Sequence, residues 1–332
     1  MIVDDPIYGQ SLLDSPTILA AIESDAVQRL KGVLQHGITA LLGISQPVTR
    51  FDHSLGVMLL VRRLGGSPQE QLAALLHDVS HTAFSHVMDH VFDSAGSQSF
   101  HDHVQAEYVA GSDLPALLAG LGIDWQDLLD EERYPLLEQP APALCADRLD
   151  YSLRDAVELE LLTPADIQHI LDHLVVHQGR IVMDDVDAAL LLADAYLQAD
   201  DASWANWREV GLYEVTANAI RRGMEVGAIG DKDIWGTDEV VWQKLRQHQD
   251  PELRRRVALV HPDTGFVWDE ANPDFWVSTK LRTIDPDVLQ DWKCCPLSTW
   301  LPAYGERRQA YLARKQGPWP MRVIHPANSQ SL

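Results

Sequence analysis

Histidine is concentrated in one short stretch of this 332-residue chain, where 7 of its 14 histidines fall within residues 53–103. Imidazole binds divalent metals when neutral and transfers protons near pH 7, so such a cluster predicts metal-dependent or acid–base chemistry. Clustering alone is a weak signal, because single histidines are more often core or surface residues. The seven are His53, His77, His81, His86, His90, His101 and His103.

The dipeptide His77-Asp78 places two potential metal ligands side by side after an apolar stretch. On a helix, His81 lies one turn further along the same face as His77. His86 is about half a turn out of phase, so a convergent site requires a break in the helix before it. Imidazole and carboxylate ligands together suit Mn, Fe, Zn, Ni or Co. Alternatively, His77 only interacts with the dipole at a helix C-terminus.

Helices are predicted to position these side chains. The segment Phe51–Leu64 carries apolar residues at helical spacing and ends at two glycines. Ser67, Pro68 and Glu70 predict a capping box that starts the next helix, which delivers His77 and Asp78 near its C-terminal end. Helical periodicity also extends over Ala20–Leu34, Leu144–Leu161, Asp187–Gln198 and Gly211–Val226.

The pattern changes after about residue 230. Val257–Val260, Gly265–Trp268 and Phe275–Ile284 are predicted to be short strands between Pro, Gly and Asn residues. Lys280 and Arg282 would share one face of the last strand, either to bind a phosphate of a neighbouring subunit or effector, or as charges on a solvated edge. We therefore expect a helical core at residues 1–230 and a smaller mixed α/β C-terminal part at residues 231–332.

Three sequence blocks together carry a more specific signal: Thr49–Gly56 (TRFDHSLG), His77–His86 (HDVSHTAFSH) and Ala146–Tyr151 (ADRLDY). In order and spacing they resemble the HD-domain phosphohydrolase superfamily, closest to its deoxynucleoside triphosphate triphosphohydrolase branch. Asp5–Gly9 and Gln28–Leu30 are similar to the same branch. The resemblance implies a mostly α fold built on an HD-domain helical core, and an enzyme that converts a deoxynucleoside triphosphate to the deoxynucleoside and tripolyphosphate.

The resemblance also implies a ligand set for one divalent transition metal per chain, which is Mn, Fe, Co, Ni or Zn. Residues of this chain at the family's ligand positions are His53, His77, Asp78 and Asp147. Mg²⁺ is an additional expectation, bound together with the substrate phosphates. Metal identity stays open, with manganese among the expectations, because imidazole and carboxylate serve several metals.

By the same resemblance, His81 and His86 face the phosphates of the substrate, and His101 is the proton-transferring residue, oriented by Asp89. His103 is the rival for this role. An imidazole that titrates near neutrality acts as an acid toward the leaving oxygen or as a base toward water.

Four further positions match residues that bind substrate in the family. Arg50 offers a forked set of donors to a phosphate, with an ion pair to Asp52 as the alternative. Gln35 stands where the family has a glutamine that contacts the sugar. Tyr151 and Asp155 lie four and eight residues after Asp147 on one helix face, and in the family such residues contact the deoxyribose.

The match weakens at the distal phosphate and the base. Thr216 and Met224 stand where the triphosphate enzymes have an arginine and a tyrosine, and Arg221 or Arg222 could substitute. A nucleoside monophosphatase, or another HD phosphatase, is therefore the second substrate hypothesis. The other hypotheses are a non-catalytic nucleotide sensor, a di-iron oxygenase with two metals, and a nuclease that acts on DNA ends.

Composition limits the partners. The chain has 49 acidic and 26 basic residues and a net charge of −23, so binding to extended nucleic acid is not expected. A small phosphorylated substrate remains compatible, because a local pocket can oppose the net charge. Apolar runs are short, so we expect no membrane association and a cytoplasmic location. A homo-oligomer is expected from the resemblance alone.

Overall fold

The computed structural model describes residues 1–92 and 96–325, apart from the side chain of Glu131. Helices dominate this part of the chain, which confirms the predicted mostly α fold. They are α1 (Pro16–Ile22), α2 (Asp25–Arg29), α3 (Ile38–Leu41), α4 (Arg50–Arg63), α5 (Pro68–Leu76), α6 (Val87–Val91), α7 (Phe100–Gly111), α8 (Leu114–Gly120), α9 (Ala146–Glu158), α10 (Pro164–Asp172), α11 (Val186–Ala199), α12 (Trp207–Glu225), α13 (Asp238–Gln247), α14 (Pro251–Val257), α15 (Leu297–Trp300) and α16 (Pro302–Lys315).

The strands form three small sheets, namely an antiparallel β1–β2 hairpin, a sheet in the order β3-β4-β7-β8, and a sheet in the order β5-β9-β6. Strand pairs are antiparallel except β4 and β7, which run parallel. The strands are β1 (Ile2–Asp5), β2 (Gly9–Leu12), β3 (Leu174–His177), β4 (Arg180–Met183), β5 (Gly265–Trp268), β6 (Phe275–Val277), β7 (Asp287–Gln290), β8 (Lys293–Pro296) and β9 (Trp319–Ile324).

Helix α4 is the central element of the fold. Thr49 caps it by accepting a hydrogen bond from the backbone N–H of Asp52, and the Asp52 carboxylate accepts from the N–H of Thr49 in return. Its residues from His53 to Val61 are buried without interruption. A helix buried on every side must be apolar all round, and α4 packs between α5 and α9.

Helix α5 begins where the sequence predicts. Ser67 caps it and Pro68 occupies its first turn. The predicted capping box is incomplete, because the Glu70 carboxylate accepts a hydrogen bond from the backbone N–H of Leu136 instead. The last turn of α5 ends at Leu76, and His77 is its C-cap. The helix therefore delivers His77 to the protein interior.

Two predicted elements are wrong. Ala20–Leu34 is not one helix, because Ser24 takes an extended conformation and caps α2, so the segment divides into α1, α2 and a 3₁₀ turn. Val257–Val260 is not a strand, because Asp250 caps α14, whose last residue is Val257. A third is shorter than predicted, since only Phe275–Val277 of the segment up to Ile284 is a strand.

The main hydrophobic core is formed by α4, α5, α9 and α11, and a second core lies around α12. The C-terminal part contributes β7 to the same sheet as β4, where Val288 pairs with Met183. The predicted division at residue 230 stays a prediction, and residues 326–332 lie outside the described part. Among the described residues, no helix combines the length and apolar character that crossing a lipid bilayer requires.

Candidate active site

The four predicted metal ligands converge from three elements. His53 projects from α4, His77 and Asp78 follow α5, and Asp147 lies in the first turn of α9. His53 Nε2 is 2.9 Å from Asp147 Oδ1 and 3.5 Å from Asp78 Oδ2. His77 Nε2 is 3.5 Å from one oxygen of each carboxylate. His53, His77 and Asp147 therefore form one group of potential metal ligands. Asp78 adjoins this group and also belongs to a second one with His81 and His101.

The unsatisfied atoms of this cluster fit a metal. His77 Nδ1 is 2.7 Å from the Ala74 carbonyl oxygen and donates to it, which leaves the lone pair on Nε2. That Nε2 atom is buried and has no hydrogen-bond partner. Buried polar atoms are rarely left without a partner, so a cation between His77 and the carboxylates supplies the missing interaction.

Electrostatics in this cluster favours positive charge. Burial lowers the pKa of His77, but Asp78 and Asp147 outweigh burial and raise this pKa to about 10. Burial raises the pKa of Asp147, but His53 and His77 hold it well below its usual value. Two ionised carboxylates beside two imidazoles form the donor set of a divalent transition-metal site.

A buried ion-pair network supports His53 from behind. His53 Nδ1 is 2.8 Å from Asp150 Oδ2, and Asp150 accepts two hydrogen bonds from Arg154. Arg154 also donates to Asp5 of β1 at 2.7 Å. Only a glycine fits where α4 crosses this network, since a Cβ at Gly56 would lie 2.0 Å from Arg154 Nη2. The network fixes the orientation of the His53 ring.

Helical structure is interrupted after the His77-Asp78 dipeptide, as the position of His86 predicts. Phe84 and Ser85 have φ angles of 63° and 48°, a conformation that is costly for residues other than glycine. Gly37 makes the turn possible, because a Cβ at this position would lie 2.4 Å from the Phe84 carbonyl oxygen. Asp238 accepts the Phe84 N–H at 2.7 Å. The chain therefore turns back, and His86 faces His81.

Three histidines gather beside the metal-ligand cluster. The rings of His81 and His101 stack with centroids 4.0 Å apart, and the centroid of His86 lies 5.2 Å from that of His81. The predicted pairing of Asp89 with His101 needs a correction. Asp89, one turn after His86, pairs with His86 Nδ1 at 2.9 Å, and the neighbouring Asp102 pairs with His101 Nε2 at 3.0 Å.

The pKa values of these three histidines are shifted downward. Burial, followed by the positive charge of Arg50, lowers the pKa of His81 to about 3. Burial and Arg50 also lower the pKa of His86, and burial and His81 lower that of His101. At neutral pH these rings are uncharged, so each can donate one hydrogen bond and accept another.

Arg50 joins the two groups. Its Nη1 donates to Asp78 Oδ2 at 2.7 Å and its Nε donates to Ser85 Oγ at 3.1 Å. The alternative ion pair with Asp52 is not formed, because Asp52 caps α4 with Thr49. Arg50 is therefore held between the carboxylates and the three histidines. It lines one cavity together with Asp78 and these histidines.

Comparison with known proteins identifies the family. The profile described as HD domain matches residues 50–155. A metal-dependent phosphohydrolase of Cordyceps militaris, named cns2, is 40% identical over 321 residues, covering 94% of this chain and 92% of that protein. This chain belongs to the HD-domain metal-dependent phosphohydrolases. The predicted resemblance is thus confirmed, and with it the enzyme class.

Two further similarities concern the fold and the branch. The structure of a phosphohydrolase from Bacteroides thetaiotaomicron superposes on this HD phosphohydrolase with a TM-score of 0.65 and 16% identity, covering 98% of this chain and 99% of that one. A deoxynucleoside triphosphate triphosphohydrolase, SAMHD1 of Danio rerio, is 34% identical over 106 residues, which is 27% of this chain and 17% of that protein.

The cavity of this HD phosphohydrolase has a volume of about 330 Å³ and extends from the metal-ligand cluster to an aromatic wall. Gln35, Tyr151 and Asp155 all line it, as predicted from the resemblance. The Oε1 atom of Gln35 is buried without a hydrogen-bond partner. Tyr151 and Tyr196 join their hydroxyl groups at 2.5 Å.

Asp155 is held against the far wall by two partners that the sequence analysis missed. His36 Nε2 lies 2.9 Å from Asp155 Oδ1, and Trp204 Nε1 donates to Oδ2 at 2.6 Å. Burial lowers the pKa of His36, but Asp155 outweighs burial and raises it to about 9. Trp204 lies in a π-helical turn that follows α11, a feature that often marks functional sites. The sequence signal for this pair was limited to the position of His36 directly after Gln35, a predicted substrate-binding residue.

Lys280 and Arg282 also line the cavity. The strand predicted for them does not form, since residues 278–286 are irregular. By contrast, Thr216 is buried on α12 with its hydroxyl bonded to the Leu212 carbonyl, and Met224 packs in the second core. Neither of them is among the described residues that line the cavity. Arg221 pairs with Glu214, and Arg222 pairs with Asp250 and Glu225.

Proposed function

We propose that this HD phosphohydrolase converts deoxynucleoside triphosphates to the deoxynucleoside and tripolyphosphate. The observation that carries the proposal is one continuous cavity that joins a metal-ligand cluster, three neutral histidines and a polar aromatic wall. Such a cavity offers separate places for the reacting phosphate and for a nucleoside. The partial similarity to SAMHD1 of Danio rerio supports the same branch.

We propose that His53, His77, Asp78 and Asp147 hold one divalent transition metal. The buried and unpartnered Nε2 of His77 and the two ionised carboxylates support this assignment. When bound, such a metal acts as a Lewis acid that polarises a phosphoryl oxygen. Asp150 orients His53 by hydrogen bonding to Nδ1, which keeps its Nε2 directed at the cluster.

The proposed reacting phosphate lies between this cluster and the three histidines. Arg50 donates to its oxygens from a guanidinium that Asp78 and Ser85 hold in place. His81 and His86 donate ring N–H groups to the same phosphate. His101 is uncharged and has a buried Nδ1 without a partner, so it accepts a proton from the attacking water at Nδ1, and Asp102 stabilises the imidazolium that forms. That proton then passes to the leaving oxygen.

The proposed nucleoside lies at the other end of the cavity. The unpartnered Gln35 Oε1 can accept a hydrogen bond from a sugar hydroxyl. Tyr151 supplies a ring surface beside it, packed edge to face on Trp204 with centroids 5.1 Å apart. Asp155 already accepts from His36 and Trp204, so its main contribution is to fix this wall.

A nucleoside monophosphatase is the second candidate. It is favoured by the cavity volume of about 330 Å³, which is at the low end of the range for ligand sites, and by the absence of Thr216 and Met224 from the described cavity lining. Without the arginine and tyrosine that the triphosphate enzymes carry at those positions, contacts to a distal phosphate must come from elsewhere in the chain.

The test is product release from a panel of ribo- and deoxynucleoside mono-, di- and triphosphates, with Mn²⁺, Fe²⁺, Co²⁺ and Mg²⁺ supplied one at a time. Tripolyphosphate released from deoxynucleoside triphosphates is the expected result. Orthophosphate released from monophosphates alone would replace the first candidate with the second. Tight nucleotide binding without turnover under every metal would indicate a sensor.

Metal content measured on the same preparation separates a further alternative. Asp78, His81 and His101 form a second group of potential ligands beside His53, His77 and Asp147. We expect one metal per chain, because His81 and His101 are needed at the phosphate. Two metals per chain, with loss of one in a His81→Ala variant, would contradict the single-metal proposal and favour the di-iron alternative.

A further inference from the structure

The segment formed by residues 278–286 is irregular but firmly anchored. Thr283 Oγ1 accepts a hydrogen bond from Arg308 Nε at 2.9 Å, and the Ile284 carbonyl accepts one from the Tyr304 hydroxyl at 2.5 Å. The Asp285 N–H donates to the Pro142 carbonyl at 3.0 Å. Such anchoring gives a loop the precision of a regular element, as in many binding sites built on loops.

This anchoring directs two basic side chains at the cavity. Leu281 packs on the small core that contains Val277 and Trp319, and its neighbours Lys280 and Arg282 line the cavity. The guanidinium of Arg282 lies 5.9 Å from the centroid of the Trp204 ring and donates to the side-chain oxygen of Gln98. Arg282 is thus held at the boundary between the histidines and the aromatic wall.

Charge pairing distinguishes these two side chains from the other cations of the cavity. Arg50 is paired with Asp78, and Arg148 is paired with Glu138. Within the described residues, neither Lys280 nor Arg282 forms an ion pair with a carboxylate. A half-buried cation such as Arg282 is unfavourable without a counterion, and the exposed Lys280 lies two residues away in the chain. An anionic ligand would supply the counterion that both side chains lack among the described residues.

We propose that Arg282 and Lys280 bind the phosphate chain of the substrate and thereby select nucleoside triphosphates over monophosphates. This inference rests on the proposed function at the same site. In the triphosphate enzymes that this chain resembles, an arginine stands at the position of Thr216 on α12. Under the proposal, the C-terminal segment makes the phosphate contact in its place. The position of the two cations supports it, because both side chains line the cavity and belong to the same anchored segment.

The experiment compares the ratio of kcat/KM for a triphosphate to that for the monophosphate of the same nucleoside. Arg282→Gln is expected to lower this ratio by about 10- to 100-fold, as charge-assisted hydrogen bonds to one phosphate are lost. Lys280→Gln is expected to lower it less, because Lys280 is exposed. Arg282→Lys retains the charge and should restore part of the ratio. Arg307→Gln, an exposed arginine paired with Asp194 on the surface, is the matched control.

A second measurement separates this inference from the proposed function. Inorganic tripolyphosphate is tested as a competitive inhibitor of whichever nucleotide the wild-type enzyme hydrolyses. An inhibition constant that rises at least 10-fold in Arg282→Gln, with an unchanged midpoint of thermal unfolding, supports the phosphate-binding role even if only monophosphates are turned over. Failure of tripolyphosphate to inhibit the wild type, or equal inhibition of wild type and variant, would overturn the inference.

Discussion

His77 and His81 contact the same carboxylate, yet their pKa values are shifted in opposite directions. Each places its Nε2 within 3.5 Å of Asp78 Oδ1. Burial lowers both pKa values, yet Asp78 and Asp147 raise that of His77 to about 10, whereas Arg50 helps to lower that of His81 to about 3. His77, which also faces Asp147, therefore binds a proton more readily than free imidazole does. His81, which faces Arg50, binds one less readily.

This contrast shows how one side chain type serves two purposes in a single cavity. The carboxylate-rich side is suited to a cation, and the side with Arg50 is suited to an anion. Asp78 marks the boundary, because it contacts His77 and His81 and also pairs with Arg50. A phosphate bound next to a metal requires this arrangement of charge. The following variants test the two sides separately.

The largest effect is expected at the carboxylate-rich side. His77→Ala should remove the bound metal and lower the rate of hydrolysis by at least about 1,000-fold, since the Lewis acid is lost. Asp78→Ala should do the same and also unfold more easily, because Arg50 is left buried without its partner. Metal analysis, turnover and thermal unfolding of each variant provide the measurements.

The control for these variants is His261→Ala, which removes an exposed histidine between α14 and β5 that lies outside the cavity and outside the groups of potential metal ligands among the described residues. It should keep the wild-type metal content and rate. A His77→Ala variant that still turns over substrate after metal removal would show that the reaction does not depend on this cluster.

On the histidine side, His101→Ala should retain the metal but lose about 100-fold in kcat, the contribution typical of one proton-transfer group. His103→Ala is the matched control, because His103 is exposed two residues later on the same helix. The rates of both variants are measured at saturating substrate with metal content checked in parallel. A near-normal His101→Ala rate together with a slow His103→Ala enzyme would reverse the assignment.

A smaller effect is expected from Gly56→Ala, which acts on the carboxylate-rich side from behind. The added Cβ would lie 2.0 Å from Arg154 Nη2 and 2.1 Å from Asp150 Oδ1, so the support of His53 must shift. We expect a loss of about 10- to 100-fold in metal affinity and about 1–3 kcal/mol in stability. Gly120→Ala, where the Cβ meets open space, should change neither. Unaltered metal affinity in Gly56→Ala would show that His53 does not depend on this network.

The smallest effect on the reaction is expected at His36, where the test concerns stability instead. This residue shows how carboxylates shift the pKa of a buried histidine away from the proposed metal ligands. Its pKa is raised from 6.5 to about 9, so its protonated form stabilises the fold fully below pH 6.5, and this contribution disappears as pH rises through 9. The stability difference between wild type and His36→Gln should therefore shrink by roughly 3 kcal/mol from pH 6 to pH 10. Urea unfolding at both pH values measures it, and a pH-independent difference would contradict the raised pKa.

Sequence reasoning could identify the residues of the candidate site because they belong to short motifs. His53 and Asp147 are 94 residues apart, yet each is recognisable from its immediate neighbours in the TRFDHSLG and ADRLDY blocks. The break before His86 followed from helix geometry alone. The roles of these residues stay predictions, and the approach of His53 Nε2 to within 2.9 Å of Asp147 Oδ1 is a finding of the structure.

Other features depend on contacts that no local pattern reveals. The alternation around Lys280 and Arg282 is typical of a strand, but contacts with distant residues, among them Tyr304 and Arg308, hold this segment as an anchored loop. His101 pairs with Asp102, which directly follows it in the chain, whereas Asp89 pairs with His86, and motif spacing alone does not distinguish these partners. The apolar run Val257–Val260 predicts a strand. Asp250 and the proline after it are the stronger signal, and they start helix α14, which ends at Val257.

The late position of Lys280 and Arg282 in the chain has a consequence for protein synthesis. The four proposed metal ligands are complete once Asp147 has been made, and at ~5–20 residues/s another 7–27 s or so pass before Lys280 follows. During that interval β4 also lacks its parallel neighbour β7. A nascent chain can thus acquire its ligand set well before it acquires the segment proposed to recognise substrate, so an interrupted translation product would carry the metal-binding motifs without the selectivity of the finished enzyme.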